Sequence, residues 1–465
     1  MTGPAEVAEP ASGGAGSLRV GYVLGTTEGG TGRHVAMLAG GLLSAGAEVL
    51  VLGPEATIPL FSALGPGAAG SGGASRSGGG PGGGLSFAPV AISDRPRPLR
   101  DLRNVVRLRR RLRRFAPEVV HAHGVRAGAM TALALRPVSM KRRAGRPGAD
   151  GGGSRSTASA RSSGRSGGRS AGGDNRNESR RPALVVTVHN APPSGTRLAA
   201  IYVLLERIVA RRADVVLCVS PDLSARMRDL GARNVQPAVV PAPDRVQDHA
   251  ATAVLGAGSG GSGTGLRAEL GVGERPIVLA VGRLAPQKAF DVLVRAAATA
   301  RWWERRPVAC VVIVGDGPLA SGLADLARDL GVDARWLGRR DDVPGLLAAA
   351  DVFVLPSRWE GQPLVLQEAL RAGRPIVASD VGGVRDLTGD EAAVLIPPDD
   401  PEALAQAVLA VLDDAEAAGR LAMAASTRAV KLPTEAEATY IALDLYGRLA
   451  YPNEPSPHDG PSPGL

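Results

Sequence analysis

The sequence predicts an α/β protein of two domains, each built on a doubly wound parallel sheet. Short apolar runs alternate with longer amphipathic segments along both halves of the chain, a pattern typical of repeated βα units. A Gly/Ser-rich stretch at residues 256–265 separates the halves and has the composition of a flexible linker. A chain of 465 residues is long enough for two or three domains of ordinary size.

One βα unit in the second half shows how each element is predicted. Apolar residues 352–355 indicate a buried parallel strand, which Pro356 ends. Pro363 suits the first position of a helix, because its missing N–H costs no hydrogen bond there. Gly373 can cap that helix, and a second apolar strand is predicted at 375–379.

The N-terminal domain is predicted to span residues 17–240, after a flexible leader at 1–16. Strands are predicted at 18–24, 48–52, 118–122, 183–188, 214–219 and 235–240, with helices ending near 45 and spanning 99–115 and 197–211. Low-complexity insertions at 65–84 and 138–182 lack hydrophobic periodicity and are predicted to be unstructured.

The C-terminal domain is predicted to span residues 273–432, after an interdomain linker at 241–272. Strands are predicted at 275–281, 310–314, 352–355 and 375–379, with helices at 363–372 and through most of 401–430. A last helix is predicted within 433–450, and the Pro-rich tail at 451–465 is predicted to be disordered.

The charge of the chain does not indicate a folded nucleic-acid-binding surface. The net charge is +9, but residues 138–182 carry eleven Lys/Arg and three Asp/Glu, a net of +8. Cys218 and Cys310 each lie in a predicted strand, which indicates buried thiols rather than a disulfide framework. The sequence has neither an 18-residue apolar run nor a signal-peptide pattern at its start, so a cytoplasmic protein is expected.

An anion site is predicted where the helix after Pro363 begins. Helix N-termini carry free N–H groups and partial positive charge, and Gly361 lets a ligand approach the backbone. Glu368 lies roughly 7–8 Å into the helix, about the separation of a diphosphate from the ribose of the same nucleotide. Its carboxylate could accept hydrogen bonds from ribose hydroxyls, leaving Glu360 to face what the diphosphate carries. The alternative is a capped surface helix with two solvated glutamates.

Two cations follow the strand predicted at 275–281. Arg283 and Lys288 lie five residues apart in the turn at the end of this strand. Arginine can bind a diphosphate with two parallel hydrogen bonds, and lysine acts as a point charge. Such residues could offset the growing charge of a leaving group. Two solvated cations are the alternative.

Two histidines stand where predicted strands end. His123 follows the strand at 118–122, and His189 follows the strand at 183–188. Side chains at the carboxyl ends of parallel strands face the ligand crevice. A glycine-rich loop with Gly29 and Gly30 ends the first strand and has the geometry of a phosphate cradle. Purely structural histidines and a plain turn are the alternatives.

Several of these segments together resemble the retaining GT-B glycosyltransferases, and more narrowly glycosyltransferase family 4. They are the Glu-x7-Glu pair at Glu360 and Glu368, the run from Gly282-Arg283-Leu284 to Lys288, the H-x-H strand end at His123 and the T-x-H segment at His189. The resemblance covers roughly residues 18–450 apart from three insertions. It implies the GT-B fold, two Rossmann-like domains with an interdomain cleft, and a final helix that returns to the N-terminal domain.

The resemblance also implies roles for single residues. It implies catalytic roles for Glu360, His123, Arg283 and Lys288, donor binding by Gly30, Arg283, Lys288, Gly338, Gly361, Gln362, Leu364 and Glu368, and acceptor or sugar contacts for Gly29 and His189. Gln362 departs from the apolar residue common at this position in the family.

The implied activity is transfer of a hexose-type sugar from a nucleotide-diphosphate donor, such as a UDP-sugar or GDP-mannose, with retention of configuration. The acceptor would be a small molecule, a glycan or a lipid-linked compound. No cofactor or metal is expected, because the chain has no Asp-x-Asp motif and cations of the protein would face the diphosphate. The sequence offers no obvious carboxylate nucleophile, so same-face attack assisted by the leaving phosphate is the hypothesis.

The helix at 99–115 leaves a second interpretation open. Ten arginines lie between positions 95 and 114, and an approximate apolar face consists of Leu102, Val105, Val106, Leu108, Leu112 and Phe115. The helix either faces the core with a solvated cationic side or forms a patch for an anionic membrane or acceptor. Peripheral attachment to the inner face of the plasma membrane would follow from the patch.

Two other functions were weighed against glycosyl transfer. One is a non-catalytic protein of the same fold that binds membrane or nucleic acid through basic segments. The other is a Rossmann oxidoreductase, which would need a compact GxGxxG loop and an acidic residue after the second strand. That strand ends in Leu52 and Gly53, which argues against the oxidoreductase.

Overall fold

The structure, a computed structural model, describes residues 17–25, 30–64, 84–93, 97–136, 181–190, 196–243 and 263–452. Within these ranges the chain forms two parallel sheets of seven and six strands. The predicted leader and Gly29 lie outside the described residues. So do most of both predicted insertions, the middle of the predicted linker and the tail after residue 452.

The N-terminal sheet has the strand order β3-β2-β1-β4-β5-β6-β7. Its strands are β1 (Arg19–Leu24), β2 (Glu48–Gly53), β3 (Leu85–Pro89), β4 (Val119–His123), β5 (Ala183–Val188), β6 (Val215–Cys218) and β7 (Val235–Pro237). The strand order reverses between β1 and β4, and ligands of open α/β sheets bind in the crevice at such a point. His123 is the last residue of β4 and therefore lies at this crevice.

Helices cover both faces of the N-terminal sheet. They are α1 (Gly30–Ser44), a 3-10 helix (Glu55–Leu64), α2 (Pro98–Phe115), α3 (Val125–Ala134), α4 (Thr196–Arg212) and α5 (Pro221–Asp229). In β1, Val23 packs into the core beneath α2, α3 and α4, whereas Val20 and Tyr22 pack into the core beneath α1. Burial on both faces explains why the strands are continuous apolar runs.

The C-terminal sheet has the strand order β10-β9-β8-β11-β12-β13. Its strands are β8 (Ile277–Val281), β9 (Cys310–Val314), β10 (Ala334–Trp336), β11 (Val352–Leu355), β12 (Ile376–Ser379) and β13 (Val394–Ile396). Its helices are α6 (Gly263–Leu270), α7 (Phe290–Ala297), α8 (Ala300–Glu304), α9 (Ala320–Asp329), α10 (Val343–Ala349), α11 (Leu364–Arg371), α12 (Val384–Thr388), α13 (Pro401–Asp413) and α14 (Ala415–Ala429). Again each face of the sheet has its own core: Val278 of β8 packs into one, and Leu279 packs into the other.

The last helix, α15 (Glu435–Ala450), packs on the N-terminal domain. It begins with a capping box, which satisfies free N–H groups of its first turn. It lies so close to α1 that a Cβ on Gly41 would be 2.2 Å from Thr439 Cγ2. The Tyr446 hydroxyl lies 2.6 Å from His121 Nδ1, in a buried hydrogen bond. The end of the chain therefore completes the core of the first domain.

The apolar face predicted for α2 is partly wrong. Leu108 and Leu112 are buried as expected. Leu102 and Val106, assigned to the same face, are 64% and 43% exposed. The buried stripe is narrower and includes Asn104, whose side-chain amide donates to a backbone carbonyl at 2.8 Å. This polar anchor fixes the rotation of the helix, which hydrophobic periodicity could not indicate.

Helix α6 lies inside the segment predicted as the linker. It begins at Gly263, before the predicted boundary at 272, and packs against α10. Leu266 and Leu270 contribute to the core beneath the C-terminal sheet. Burial of these leucines outweighs the low helix propensity of the glycines around them, so the second domain begins earlier than composition indicates.

Candidate active site

The loop between β11 and α11 fixes a buried carboxylate. Glu360 is 4% exposed. Its Oε1 atom accepts hydrogen bonds from Ser357 Oγ at 2.6 Å and from Lys288 Nζ at 2.5 Å. A buried anion is tolerated only when it is paired and hydrogen-bonded, and both conditions are met here. The structure joins the predicted residues Glu360 and Lys288 directly and adds Ser357, which the sequence pattern did not single out.

Two glycines after β12 hold the backbone of Glu360. Gly382 has a φ of +54°, and a Cβ on it would lie 1.8 Å from the Glu360 carbonyl oxygen. The N–H of Gly383 donates to that same oxygen at 3.0 Å. Only glycine fits such a close approach in this backbone conformation, so the turn after β12 positions the carboxylate of the neighbouring loop.

Arg283 lies in the turn after β8, and its side chain is exposed. The N–H of Leu284 donates to the Asp316 carbonyl at 2.9 Å. A Cβ on Gly317 would lie 2.5 Å from the Leu284 carbonyl oxygen. The turns after β8 and β9 are therefore locked together, and they hold Arg283 at the same sheet edge as Lys288.

Gly338 lies farther along this edge. It follows β10 with a φ of +62°, and its carbonyl accepts a hydrogen bond from the Gly315 N–H at 2.8 Å. Three strand spacings, roughly 14 Å, separate β10 from β11 in the sheet order. Gly338 and Glu360 are thus not brought together, and the nucleotide contact expected for Gly338 stays a prediction.

Helix α11 faces α1 across the interdomain cleft. A Cβ on Gly30 would lie 3.1 Å from Leu364 Cδ1. One turn further along, Glu368 lies within the electrostatic influence of Arg33. Burial raises the pKa of the Glu368 carboxyl, while Arg33 and Arg371 act to lower it. Three predicted donor residues, Gly30, Leu364 and Glu368, therefore lie at one contact between the domains.

Three histidines from three elements meet at the edge of the N-terminal sheet. His123 Nδ1 lies 3.0 Å from His189 Nε2, and the ring centroids of His34 and His123 are 6.0 Å apart. Burial lowers the pKa of His34 to about 4 and that of His189 to about 3. Burial also holds the pKa of His123 well below its usual value. All three rings are therefore uncharged at neutral pH.

Two nitrogens of this histidine cluster are buried without a hydrogen-bond partner among the described residues, namely His34 Nδ1 and His123 Nε2. Buried polar atoms without partners cost free energy, which a polar ligand could recover. Sequence analysis did not select His34. It lies four residues after Gly30 in α1, so the two share a helix face, and this spacing was the available signal.

The glutamate loop and the histidine cluster touch. A Cβ on Gly361 would lie 2.3 Å from Val219 Cγ2 and 3.3 Å from the His189 carbonyl oxygen. The indole N–H of Trp359 donates to Asp222 Oδ2 at 2.9 Å. The loop of the C-terminal domain therefore lies directly against the strand ends that carry the histidines.

The side chain of Gln362 joins the domains. Its Oε1 accepts from the Val240 N–H at 3.0 Å, and its Nε2 donates to the Ala238 carbonyl at 2.8 Å. Gln367 makes the same kind of pair with Val240 and Ala242, at 2.8 and 2.9 Å. Both polar atoms of Gln362 are thus engaged, and the donor contact expected for this residue stays a prediction.

The described residues include two buried cysteines but no cluster of metal ligands. Over the described ranges, His, Cys, Asp and Glu side chains form no group of three or more suited to a metal ion. In the same ranges no helix combines the length and apolar character needed to cross a bilayer. Cys218 and Cys310 are buried free thiols, and burial raises the pKa of Cys218 to about 11, which makes it unreactive.

Two family models match the chain. Residues 29–243 match the "Glycosyl transferase 4-like domain" and residues 275–414 match "Glycosyl transferases group 1". The chain belongs to glycosyltransferase family 4. The family predicted from the glutamate pair, the Arg283–Lys288 turn and the strand-end histidines is thereby confirmed.

Two curated proteins are similar to this chain over part of their length. An α-D-kanosaminyltransferase of Streptomyces kanamyceticus is 33% identical over 226 residues, 47% of this chain and 56% of that protein. A D-inositol 3-phosphate glycosyltransferase of Salinispora tropica is 38% identical over 196 residues, 39% of this chain and 40% of that protein. The chain thus spans about half of the length of these relatives, or less.

Two solved structures show the same fold. HepE of Anabaena, crystallised with UDP, superposes with a TM-score of 0.65 at 17% identity, over 92% of this chain and 99% of that one. WaaG, a glycosyltransferase of lipopolysaccharide biosynthesis, gives 0.61 at 16% identity, over 92% and 99%. With the two parallel sheets, these likenesses confirm the predicted GT-B architecture.

Proposed function

We propose that this family 4 member transfers a hexose-type sugar from a nucleotide-diphosphate donor to an acceptor hydroxyl. One observation carries the proposal. The loop that holds Glu360, the carboxylate paired with Lys288, lies against His189, and His189 is hydrogen-bonded to His123. A sugar bound beside this contact would meet a fixed charge pair on one side and neutral imidazoles on the other. This arrangement suits a reaction in which charge develops at the bond being broken.

The C-terminal side of the cleft suits the donor. In the proposal Arg283 and Lys288 offset the charge that grows on the leaving diphosphate, and the N–H groups at the start of α11 bind a phosphate. Glu368 accepts hydrogen bonds from the ribose. Hydrogen bonds to its ionised form would counteract the burial that now raises the pKa of this carboxyl.

The N-terminal side suits the transferred sugar and the acceptor. His123 Nε2, which has no hydrogen-bond partner among the described residues, would form a hydrogen bond with a sugar hydroxyl. Relatives include a glycosyltransferase named for D-inositol 3-phosphate and an Escherichia coli galactosyltransferase named for a diphosphoundecaprenol-linked sugar. The proposed acceptor is therefore a small molecule, a glycan or a lipid-linked compound.

We expect retention of configuration without a metal. Glu360 Oε1 already accepts two hydrogen bonds, which suits an electrostatic role better than nucleophilic attack. Same-face attack assisted by the leaving phosphate is the proposed route. NMR of the first product should show the anomeric configuration of the donor, and a chelator should leave turnover unchanged. An inverted product, or loss of turnover that a divalent cation restores, would contradict this route.

The donor site is tested by thermal shift with UDP-, GDP- and ADP-sugars and each free nucleotide. One nucleotide should raise the midpoint of the wild type, and Glu368→Ala should lose most of that shift. Arg283→Ala should mainly slow turnover. Wild-type activity in both variants would contradict the assignment. No shift with any nucleotide would favour the non-catalytic alternative.

Exposed leucines on α2 support a second proposal, peripheral binding to an anionic membrane. Leu99 and Leu102 are 78% and 64% exposed on a helix whose remaining surface is rich in arginine. Such a helix can lie at a membrane surface with its apolar side inward. Vesicle binding that weakens in Leu99→Ser/Leu102→Ser and at high salt would support it, and unchanged binding would contradict it.

A further inference from the structure

Helix α3 is buried between two larger helices, α2 and α4. Its sequence, VRAGAMTALA, is mostly small residues, and nine of its ten residues are buried. A Cβ on Gly128 would lie 2.6 Å from Val186 Cγ1 of β5, so the helix is pressed against the sheet. The larger helices α2 and α4 pack on either side of it. A depression therefore runs over the C-terminal end of α3.

This depression is a groove of about 380 Å³ beside the second half of α4, within the usual range for small-molecule pockets. Its floor is apolar and is formed by Ala132, Leu133, Leu204 and Ile208. Leu204 is 60% exposed, and Ile201 one turn earlier is 42% exposed. An apolar floor that stays open to solvent costs free energy, so a hydrocarbon group would be favoured there.

The rim of the groove is cationic. Arg136, Arg207, Arg211 and Arg212 line it, with no acidic side chain among the lining residues. The acid nearest in sequence, Glu206, is buried and bound to Arg226 at 2.6 Å. Like charges four residues apart destabilise a helix, so Arg207 is not explained by the stability of α4, whereas Arg211 lies in the last turn, where a cation is favoured.

The groove is remote from the catalytic crevice. The crevice lies at the carboxyl ends of the strands, where α4 begins, whereas the groove adjoins the C-terminal ends of α3 and α4. From residue 196 to residue 208 of α4 is roughly 18 Å at 1.5 Å per residue. The groove therefore belongs to a different site, and its interpretation does not depend on the proposed function.

We propose that this groove binds the head and upper chain of an anionic phospholipid. Arginine forks match phosphate oxygens, and the leucine and isoleucine floor would take the hydrocarbon. The floor has no aromatic side chain, whereas single-stranded nucleic acids stack on aromatic rings. Inorganic phosphate would satisfy the arginines and leave Leu204 uncovered. An anionic lipid complements both parts of the groove.

The test is sedimentation of the full chain with phosphatidylcholine vesicles that contain or lack phosphatidylglycerol. The groove variant is Arg207→Gln/Arg211→Gln. The matched control is Arg295→Gln/Arg301→Gln, which removes two exposed arginines of the C-terminal domain. We expect the groove variant to bind the anionic vesicles roughly thirtyfold more weakly and the control to bind like the wild type.

Two further measurements distinguish lipid binding at the groove from binding of other anions and from membrane binding by α2. Leu204→Ser should weaken vesicle binding while leaving the charge intact, and inorganic phosphate should raise the thermal midpoint little and compete poorly with vesicles. Arg103→Gln/Arg107→Gln on α2 measures the share of that helix.

Several results would overturn the proposal. They are equal binding by the groove variant and the control, no binding of the wild type to either vesicle, and full displacement by phosphate, which would indicate a site for the free anion. Loss confined to the α2 variant would also overturn it.

Discussion

The two sides of the cleft use opposite chemistry. On the C-terminal side, Glu360 is charged and already bound by Lys288 and Ser357. On the N-terminal side the imidazoles are neutral, and nitrogens of His34 and His123 have no partner among the described residues. One side is preorganised before a ligand arrives. The other keeps hydrogen-bonding capacity for the ligand to use.

Breaking the charged side should have the largest effect. Glu360→Gln preserves the shape of the side chain but leaves the Lys288 ammonium, 18% exposed, without its anion. We expect turnover to fall by about 10²–10³ and the free energy of unfolding to fall by about 3–5 kcal/mol. Steady-state kinetics and urea unfolding measure the two losses.

The double variant Glu360→Gln/Lys288→Met is the control for this charge pair. Removing both charges should restore much of the stability but none of the activity, because a buried pair costs more when one partner is missing than when both are. A single variant with wild-type turnover would contradict the catalytic assignment.

The neutral side should respond to pH. The pKa of His34 is about 4 in the folded protein, against 6.5 ordinarily. Below pH 6.5 this histidine takes up a proton more readily in the unfolded chain than in the folded protein. The contribution of His34 to the free energy of unfolding is therefore complete above pH 6.5 and is lost as the pH falls towards 4. The loss from this one residue approaches about 3 kcal/mol. Urea unfolding at pH 7.5 and 4.5 should show a smaller difference in His34→Gln, and equal differences would contradict this account.

Removing the hydrogen bonds by which Gln362 joins the two domains should have the smallest effect on stability. Gln362→Leu removes two hydrogen bonds to the segment at 238–240, which should lower the free energy of unfolding by about 1–2 kcal/mol. Gln367→Leu is the matched variant and should behave alike. Donor KM should change little in Gln367→Leu, because no donor contact is predicted for that residue. A large rise in donor KM confined to Gln362→Leu would show that this amide binds the donor.

Most of the charged residues on the C-terminal side of the cleft could be predicted from the sequence. Arg283 and Lys288 follow β8, and Glu360 follows β11, which are neighbours in one parallel sheet. Parallel strands bring their carboxyl ends to one edge, so residues at predicted strand ends could be expected to meet. The Glu360–Lys288 contact at 2.5 Å follows from this geometry.

Contacts between residues that are distant in the sequence and lie in no motif could not be predicted. Tyr446 and His121 are 325 residues apart, and neither lies in a motif that indicates the other. Nothing in the sequence around Gln362 indicates that its amide contacts the backbone at 238–240. Asn104 similarly turns α2 through a single buried polar contact that hydrophobic periodicity does not encode.

The return of α15 to the first domain has a consequence for synthesis on the ribosome. Leu445 and Tyr446 complete a core that also includes residues of β1, β2 and α1. Roughly 200 residues separate them from β7, so translation at about 5–20 residues per second leaves that core open for roughly 10–40 s. The uncovered side of α1 is then a surface on which chaperones or a second nascent chain can bind. The first domain can therefore complete its core only after the 16 residues of α15 have been synthesised.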